Sequence, residues 1–161
     1  MTTRNKLHLL GIILIFISFA CNKNSIYNKT YDIEDSAWHV DNIASFNFQV
    51  QDTLQPYDVL LHVRHTSKYR YKNLFLFIQT TSPEGYTVKD TFEVMLANDK
   101  GRWYGSGWGD VYENSVPYKR FVRFPKSGTY TIELQQAMRS RNLQHITDIG
   151  IEVKTAKQRG K

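Results

Sequence analysis

A single cysteine is the residue with the clearest chemistry in this chain. Cys21 is the only thiol among the 161 residues, and it follows an apolar run over residues 7–20 that Arg4 and Lys6 precede. A basic start, a short apolar segment and a small residue before the cleavage point are typical of an export signal. Crossing a bilayer takes about 20 apolar residues, so this run is too short to span one. An ordinary secretory signal is the alternative, but an unpaired thiol in an exported protein favours lipidation. We therefore predict that residues 1–20 are a cleaved signal and that Cys21 carries a diacylglycerol thioether.

The residues after Cys21 indicate which membrane holds the anchor. Position 22 is Asn rather than Asp, and residues 22–25 contain no acidic pair. In the common sorting logic of bacteria with two membranes, the absence of this Asp favours the outer membrane, and an acidic pair would favour the cell surface. We predict a lipid anchor in the outer membrane, on its periplasmic face. Residues 21–31 lack apolar periodicity and are predicted to form a lipidated tether.

The sequence lacks the common catalytic and metal-binding patterns. His62 and His65 are three positions apart, which places them on opposite faces of a strand and prevents them from sharing one metal ion. Ser106 lies between two glycines, but a nucleophile elbow needs glycines two positions away, where Tyr104 and Trp108 stand. No Lys-Ser or Lys-Thr pair follows to complete a phosphate-binding loop. We predict a protein that is not an enzyme and needs no metal or cofactor.

Aromatic residues are the second unusual feature. They make up 14% of the chain, and several of them surround flexible glycines or adjoin arginines. Trp, Tyr and Arg are enriched at the centres of protein interfaces, and stacked rings can also hold sugars. The predicted binding rim consists of Arg64, Tyr69, Tyr71, Trp103, Tyr104 and Trp108. Three interpretations stay open: a patch for an envelope partner, a platform for a glycan, and core packing at a hairpin bend.

The elements that position these residues are predicted to be strands. Apolar and polar residues alternate in residues 45–50, 59–64 and 147–154, a period of two that indicates half-buried strands. Turn-forming residues separate such runs roughly every eight to twelve positions, which is typical of a sandwich. We predict an all-β fold, an antiparallel β-sandwich of jelly-roll or immunoglobulin-like type, over residues 32–154. Residues 155–161 are predicted to be a disordered basic tail.

Four local features refine this expectation. The continuous apolar run at residues 74–78 predicts a central strand covered on both faces. Pro117 is expected to interrupt the chain before a strand at residues 119–124. Residues 32–38 are expected to form one helical turn, and residues 135–139 a helical excursion before the last strand.

The charge balance argues against a nucleic-acid partner. The whole chain has a net charge of +6, but residues 22–152 contain 15 basic and 15 acidic side chains. The excess of positive charge therefore lies in the leader and near the C-terminus. A nucleic-acid-binding domain would carry its basic residues on the folded body. We predict that the protein does not bind nucleic acid.

The order of several short motifs resembles the gliding motility lipoprotein GldH family. These motifs stand at residues 61–65, 69–78, 90–92, 101–114, 118–119, 122–125, 128–130, 133, 136–139 and 148–150. Two positions depart from the family pattern: Arg70 replaces a common proline, and Trp108 replaces a small or aliphatic residue. The resemblance implies a lipoprotein needed for gliding motility, with partners in the envelope machinery that secretes and propels adhesins. It implies no catalytic residues. A carbohydrate-binding outer-membrane lipoprotein is the alternative.

Overall fold

The computed structural model of this protein describes residues 24–157, which form an all-β domain. The eleven strands, in chain order, are β1 (Ser25–Asp32), β2 (Ala37–His39), β3 (Ala44–Val50), β4 (Tyr57–Thr66), β5 (Asn73–Thr81), β6 (Thr87–Met95), β7 (Ser106–Trp108), β8 (Val111–Val122), β9 (Gly128–Gln136), β10 (Asn142–Gln144) and β11 (Ile146–Thr155). None of the described residues belongs to a helix that is long and apolar enough to cross a membrane. The predicted signal and Cys21 lie outside the described residues.

The strands form two antiparallel sheets and one small ribbon. The first sheet has the order β1-β11-β4-β8-β7, the second sheet β3-β9-β5-β6, and β2 pairs with β10. Without the three-residue strands, the eight long strands numbered along the chain have the orders 1-8-3-6 and 2-7-4-5. This is the jelly-roll arrangement of two Greek keys. An immunoglobulin-like sandwich would keep its first two strands in one sheet, so the structure selects the jelly roll between the two predicted types.

The core lies between the two sheets, as the alternating pattern predicts. In β3 the side chains at Phe46, Phe48 and Val50 are buried, whereas those between them are exposed. In β4 Leu61 and Val63 are fully buried in the same way. Each buried aliphatic side chain of this size contributes about 1.5–3 kcal/mol relative to an exposed one. The prediction of half-buried strands with one apolar face is confirmed.

The sandwich has two ends that matter for the function. At the N-terminal end, β1 begins beside the end of β11, where Ser25 pairs with Lys154. Because the partner strands are antiparallel, the loops at residues 51–56, 82–86 and 123–127 lie at this same end. The far end carries other loops, including those at residues 67–72, 96–105, 109–110 and 137–141.

The predicted tether is wrong over most of its length. Residues 25–31 belong to β1, which pairs with β11 from Ser25 to Asp32. Tyr27 and Tyr31 are partly buried against the core, so the strand is held by two inward-facing rings as well as by the ladder. The predicted tail also begins too early, because Thr155 is the last residue of β11 and Ala156 is buried.

Two local expectations about strands also need correction. The strand at residues 73–81 is central, but only one face is covered, since Leu74, Leu76 and Ile78 are buried while Phe77 is exposed. Pro117 does not interrupt the chain: it lies within β8, opposite Leu60. It is tolerated because β7 pairs only with the first three residues of β8, which leaves the proline on an edge.

The two helical expectations have different outcomes. A 3-10 turn at Glu34–Ser36 lies within the expected turn at residues 32–38, and it is the one helical element of residues 24–157. The helical excursion expected at residues 135–139 is wrong. Strand β9 continues through Gln136, whose side-chain amide donates to the Ser140 carbonyl and closes the following loop.

Candidate functional site

The six residues of the predicted binding rim do not lie on one continuous surface. Arg64 and Trp108 line one shallow pocket on the outer face of the first sheet. Tyr69 is buried, and it packs with Trp103 in an aromatic cluster inside the far end. The remaining two are partly exposed, Tyr71 at the edge of that cluster and Tyr104 in the loop before β7. The binding role of these residues stays a prediction.

The hairpin of β7 and β8 places Trp108 in solvent. Trp108 pairs with Val111 across a two-residue turn, and its side chain is 96% exposed. Gly107 allows β7 to approach β8 closely, because a Cβ at this position would collide with the Val111 carbonyl oxygen. Because it is almost fully exposed, this tryptophan contributes almost nothing to the packing of the core. Of the six residues, Trp108 therefore has the side chain that is most available to a binding partner.

Trp108 stands at the rim of an open pocket of about 480 Å³, which we call the outer-face pocket. Strands β4, β7, β8 and the start of β11 form its walls. It is lined by Arg64, Ser106, Gly107, Trp108, Val111, Glu113, Thr147 and Asp148. Trp108 is the one aromatic residue in this lining.

A row of charged side chains crosses the first sheet beneath this pocket. Arg64 Nε donates to Glu113 Oε2 at 3.0 Å, and Arg64 Nη1 lies 3.7 Å from Asp148 Oδ1. Asp32 lies opposite Asp148 on the neighbouring strand. A hydrogen bond with Asp148, together with repulsion from it, raises the pKa of Asp32, while Arg64 opposes this rise. Glu113 and Asp148 thus pair with one guanidinium, and Asp32 adds a third carboxyl group beside Asp148, so the row holds more acidic than basic groups.

Sequence reasoning missed a second polar pair on the same face. His62 Nε2 lies 3.6 Å from Glu152 Oε2, and the two side chains are only 13% and 10% exposed. Neither ring nitrogen of His62 has a hydrogen-bond partner within the described part of the chain. The prediction that His62 and His65 point to opposite faces is confirmed, because His65 faces the core. Residues 24–157 contain no group of three potential metal ligands.

His65 is the centre of the aromatic cluster at the far end. Its ring is fully buried and lies 4.6 Å from the ring of Trp103 and 5.7 Å from those of Tyr69 and Tyr112, measured between centroids. Nδ1 lies 3.0 Å from the Thr66 carbonyl oxygen, to which it donates in the neutral ring. Burial lowers the pKa of His65 below its ordinary value of 6.5. The cluster therefore holds a neutral imidazole.

We expect the stability of the domain to fall in mild acid because of His65. The unfolded chain takes up a proton near its ordinary pKa of 6.5, whereas the folded chain resists protonation. Stability is thus fully present above this value and declines as the pH falls through it, by at most about 1.4 kcal/mol per pH unit for one proton. Urea denaturation at a series of pH values measures the slope. A His65→Gln variant with the same slope between pH 7.5 and 5.5 would contradict this assignment.

A jelly-roll domain that begins four residues after the cysteine predicted to carry a lipid fits the class of β-sandwich lipoproteins. The profile of the GldH lipoprotein family matches residues 25–153. The chain belongs to this family of gliding motility lipoproteins. The family name describes a lipoprotein, which indicates a membrane-associated place in the envelope, and it names no catalytic activity.

Two relatives match nearly the whole chain. The gliding motility lipoprotein GldH homolog of Christiangramia forsetii is 34% identical over 149 residues, covering 88% of this chain and 91% of the relative. Gliding motility lipoprotein GldH of Flavobacterium johnsoniae is 32% identical over 152 residues, covering 89% and 94%. Among solved structures, that of infectious bursal disease virus Gx strain aligns with a TM-score of 0.27 and 12% identity, over 84% of this chain and 35% of the viral chain. A score this low carries no argument.

Proposed function

We propose that this protein is held by a lipid on Cys21 at the periplasmic face of the outer membrane. There it acts without catalysis, as a component or assembly factor of the machinery for gliding motility and adhesin secretion. Membership in the gliding motility lipoprotein family supports a role in gliding motility. The absence of Asp at the position after Cys21 supports the choice of the outer membrane. The direct task of the domain, in this proposal, is to bind a protein partner of that machinery.

The observation that carries this proposal is the exposed indole of Trp108 beside the outer-face pocket. The indole is 96% exposed and contributes little to the core, so its whole ring is available to a partner. Tryptophan is also the residue type most enriched at interface hot spots. The hairpin and its glycines hold the ring at the mouth of the pocket rather than against the core.

The charge of the pocket identifies the chemistry of the partner. Arg64 is already paired with Glu113 and Asp148, so it does not offer a free positive charge. The excess carboxylates favour a cationic group, and an exposed indole face attracts the same group through a cation–π interaction. We expect the partner to insert a Lys or Arg side chain that lies on Trp108 and reaches Glu113.

We expect Trp108→Ala to abolish gliding while leaving the domain folded. The ring contributes little to the core, so the free energy of unfolding should change by less than about 0.5 kcal/mol. Loss of a hot-spot tryptophan weakens binding by at least about 2 kcal/mol, or roughly 30-fold. Glu113→Gln should show a smaller loss. Colony spreading, protein abundance and the urea midpoint are the measurements.

Phe77→Ala is the matched control, because this ring is exposed on the outer face of the second sheet, away from the pocket. It should leave spreading intact. Normal gliding in a Trp108→Ala, Arg64→Ala double variant that accumulates at wild-type levels would refute the binding role. Crosslinking in intact envelopes through a C-terminal tag should recover components of the motility or secretion machinery in the wild type and lose them in Trp108→Ala.

A glycan is the second candidate ligand, and the exposed ring of Trp108 beside polar groups favours it. Sugar platforms usually combine several rings, whereas the described lining of this pocket contains one. The same pull-down separates the two candidates. Recovery of glycan-rich material without motility proteins would support a carbohydrate-binding lipoprotein.

A further inference from the structure

We propose that the N-terminal end of the sandwich docks directly on the anionic phospholipid headgroups of the membrane that holds the anchor. The inference rests on the lipid anchor at Cys21, which is part of the proposed function. It adds a second, non-covalent membrane contact and a fixed orientation of the domain. Three features carry it: the short reach from the anchor, a basic groove, and apolar side chains presented at the same end.

The reach from the anchor to the folded domain is very short. Strand β1 begins at Ser25, so only three residues separate it from Cys21. Each residue spans at most about 3.6 Å, which limits the distance from Cys21 to Ser25 to roughly 14 Å whatever their conformation. The lipidated residue must stay at the headgroup level because its acyl chains are in the bilayer. The N-terminal end therefore lies within reach of the headgroups.

A basic groove opens beside the start of β1. It has a volume of about 750 Å³, and Asn24, the first described residue, lines it. The cations Arg120, Lys154 and Lys157 surround it. None of them forms an ion pair with another residue in the range 24–157. Phosphate groups are the natural counterions at this position, since each Lys or Arg near an anionic surface gains about 1 kcal/mol.

The one carboxylate in the groove lining is already engaged. Asp58 Oδ1 accepts a hydrogen bond from the backbone N–H of Phe121 at 3.0 Å. This bond holds Phe121 at a φ of +55°, a backbone conformation that few residues other than glycine adopt. The result is a phenyl ring that is 50% exposed at the rim of a basic groove. An aromatic ring among cations is the composition of an interfacial membrane contact.

A second apolar side chain, that of Leu54, projects from a hydrogen-bonded turn at the same end. Asp52 Oδ1 accepts from the backbone N–H groups of Leu54 and Gln55 at 2.8 and 3.1 Å. Arg123 Nε donates to the Leu54 carbonyl oxygen at 3.1 Å. Leu54 is nevertheless 82% exposed. The exposed Leu54 side chain contributes little to the core. Its position on an ordered turn suits shallow insertion among lipid headgroups.

This docking also orients the outer-face pocket. Strand β4 runs from the N-terminal end to the far end over ten residues, about 33 Å at the rise of a β-strand. The hairpin with Trp108 lies at the far end, so docking holds it away from the bilayer. A partner in the periplasm could then reach the pocket without contacting lipid.

The test uses the mature lipidated protein in vesicles of phosphatidylethanolamine and phosphatidylglycerol. Cys21 is the only cysteine, and its thiol is blocked by the lipid, so an introduced cysteine takes a fluorophore alone. A probe at Leu54→Cys should be quenched by spin-labelled lipids, whereas a probe at Lys100→Cys on the far end should not. Replacing Arg120, Lys154 and Lys157 by Gln should lower the docked-to-undocked ratio about fivefold per cation, or roughly a hundredfold in total.

The control variant replaces Lys68, Arg70 and Arg102 at the far end by Gln and should quench like the wild type. Equal quenching at both probe positions in protein that stays on the vesicles would overturn the docking inference and leave the lipid anchor intact. Protein that washes off the vesicles would overturn the anchor itself. Shielding of Leu54 that rises with the protein-to-lipid ratio would identify a second copy of the chain as the occupant and overturn the lipid contact.

Discussion

Trp38→Ala is expected to destabilise the domain by about 3–5 kcal/mol, the range for removing a large ring from a packed core. Trp38 is fully buried although it lies in a strand of only three residues. Its indole Nε1 donates to the Asn42 carbonyl oxygen at 2.7 Å, and Leu143 of β10 pairs with it. One side chain therefore joins the small ribbon to the core. Since domains of this size are stable by about 5–15 kcal/mol, this loss removes a large part of the total.

Two further variants interpret this loss: one is a control at an exposed site, and the other separates the packing of Trp38 from its hydrogen bond. Trp108→Ala makes the same chemical change at an exposed position and should cost less than about 0.5 kcal/mol. Trp38→Phe keeps most of the ring but leaves the Asn42 carbonyl without its donor, a loss of about 1–3 kcal/mol. Urea unfolding followed by far-ultraviolet circular dichroism measures all three. A loss below about 1 kcal/mol in Trp38→Ala would mean that the ribbon is not part of the cooperative core.

Alternation along the chain predicts most of the sandwich, because long strands such as β3, β4 and β9 bury one face. Period two is clear in β3, β4 and β11, whose apolar side chains point between the sheets, with Leu60 as an exception on the outer face of β4. It does not predict which strands pair. Apart from the β5–β6 hairpin, the long strands alternate between the two sheets along the chain, so neighbours such as β1 and β11 are far apart in sequence. The choice of jelly roll over immunoglobulin-like sandwich required the structure.

The apolar pattern does not reveal strand β1, because it is an edge strand. Its inward positions hold Tyr27, Lys29 and Tyr31, and only the two tyrosines are apolar enough to mark a period of two. Pro117 does not mark the end of a strand, for a related reason. On a free edge no ladder hydrogen bond is lost, so a proline does not end the strand.

The candidate site shows what residue type alone leaves undetermined. Trp103 and Trp108 stand five positions apart in one glycine-rich stretch, yet Trp103 packs on His65 while Trp108 is in solvent. Their positions depend on where β7 pairs with β8, a choice that the spacing of glycines does not reveal. The row of charged side chains also depends on strand register. Arg64 of β4 lies opposite Glu113 of β8, a strand much later in the chain. Pairing geometry, rather than composition, creates the pocket.

Gly105→Ala is expected to detach β7 and thereby remove Trp108 from the pocket. Gly105 has a φ of +84°, which disfavours any side chain, and a Cβ there would collide with the Glu113 carbonyl oxygen. Strand β7 has three residues and pairs with β8 alone, so it has no second ladder to hold it. We expect loss of hydrogen-exchange protection at the β7–β8 pair and the same loss of gliding as in Trp108→Ala.

Gly109→Ala provides the matched control for this prediction, because the two glycines share the backbone strain but not the collision. Gly109 has a φ of +68°, and nothing lies within 4 Å of the position its Cβ would take. A left-handed alanine costs about 1–2 kcal/mol at either glycine, so any additional effect in Gly105→Ala comes from the contact with β8. Gliding that survives in Gly109→Ala and fails in Gly105→Ala would tie function to the placement of β7. If Gly105→Ala glides normally while exchange shows β7 detached, the held position of Trp108 is not what the partner recognises.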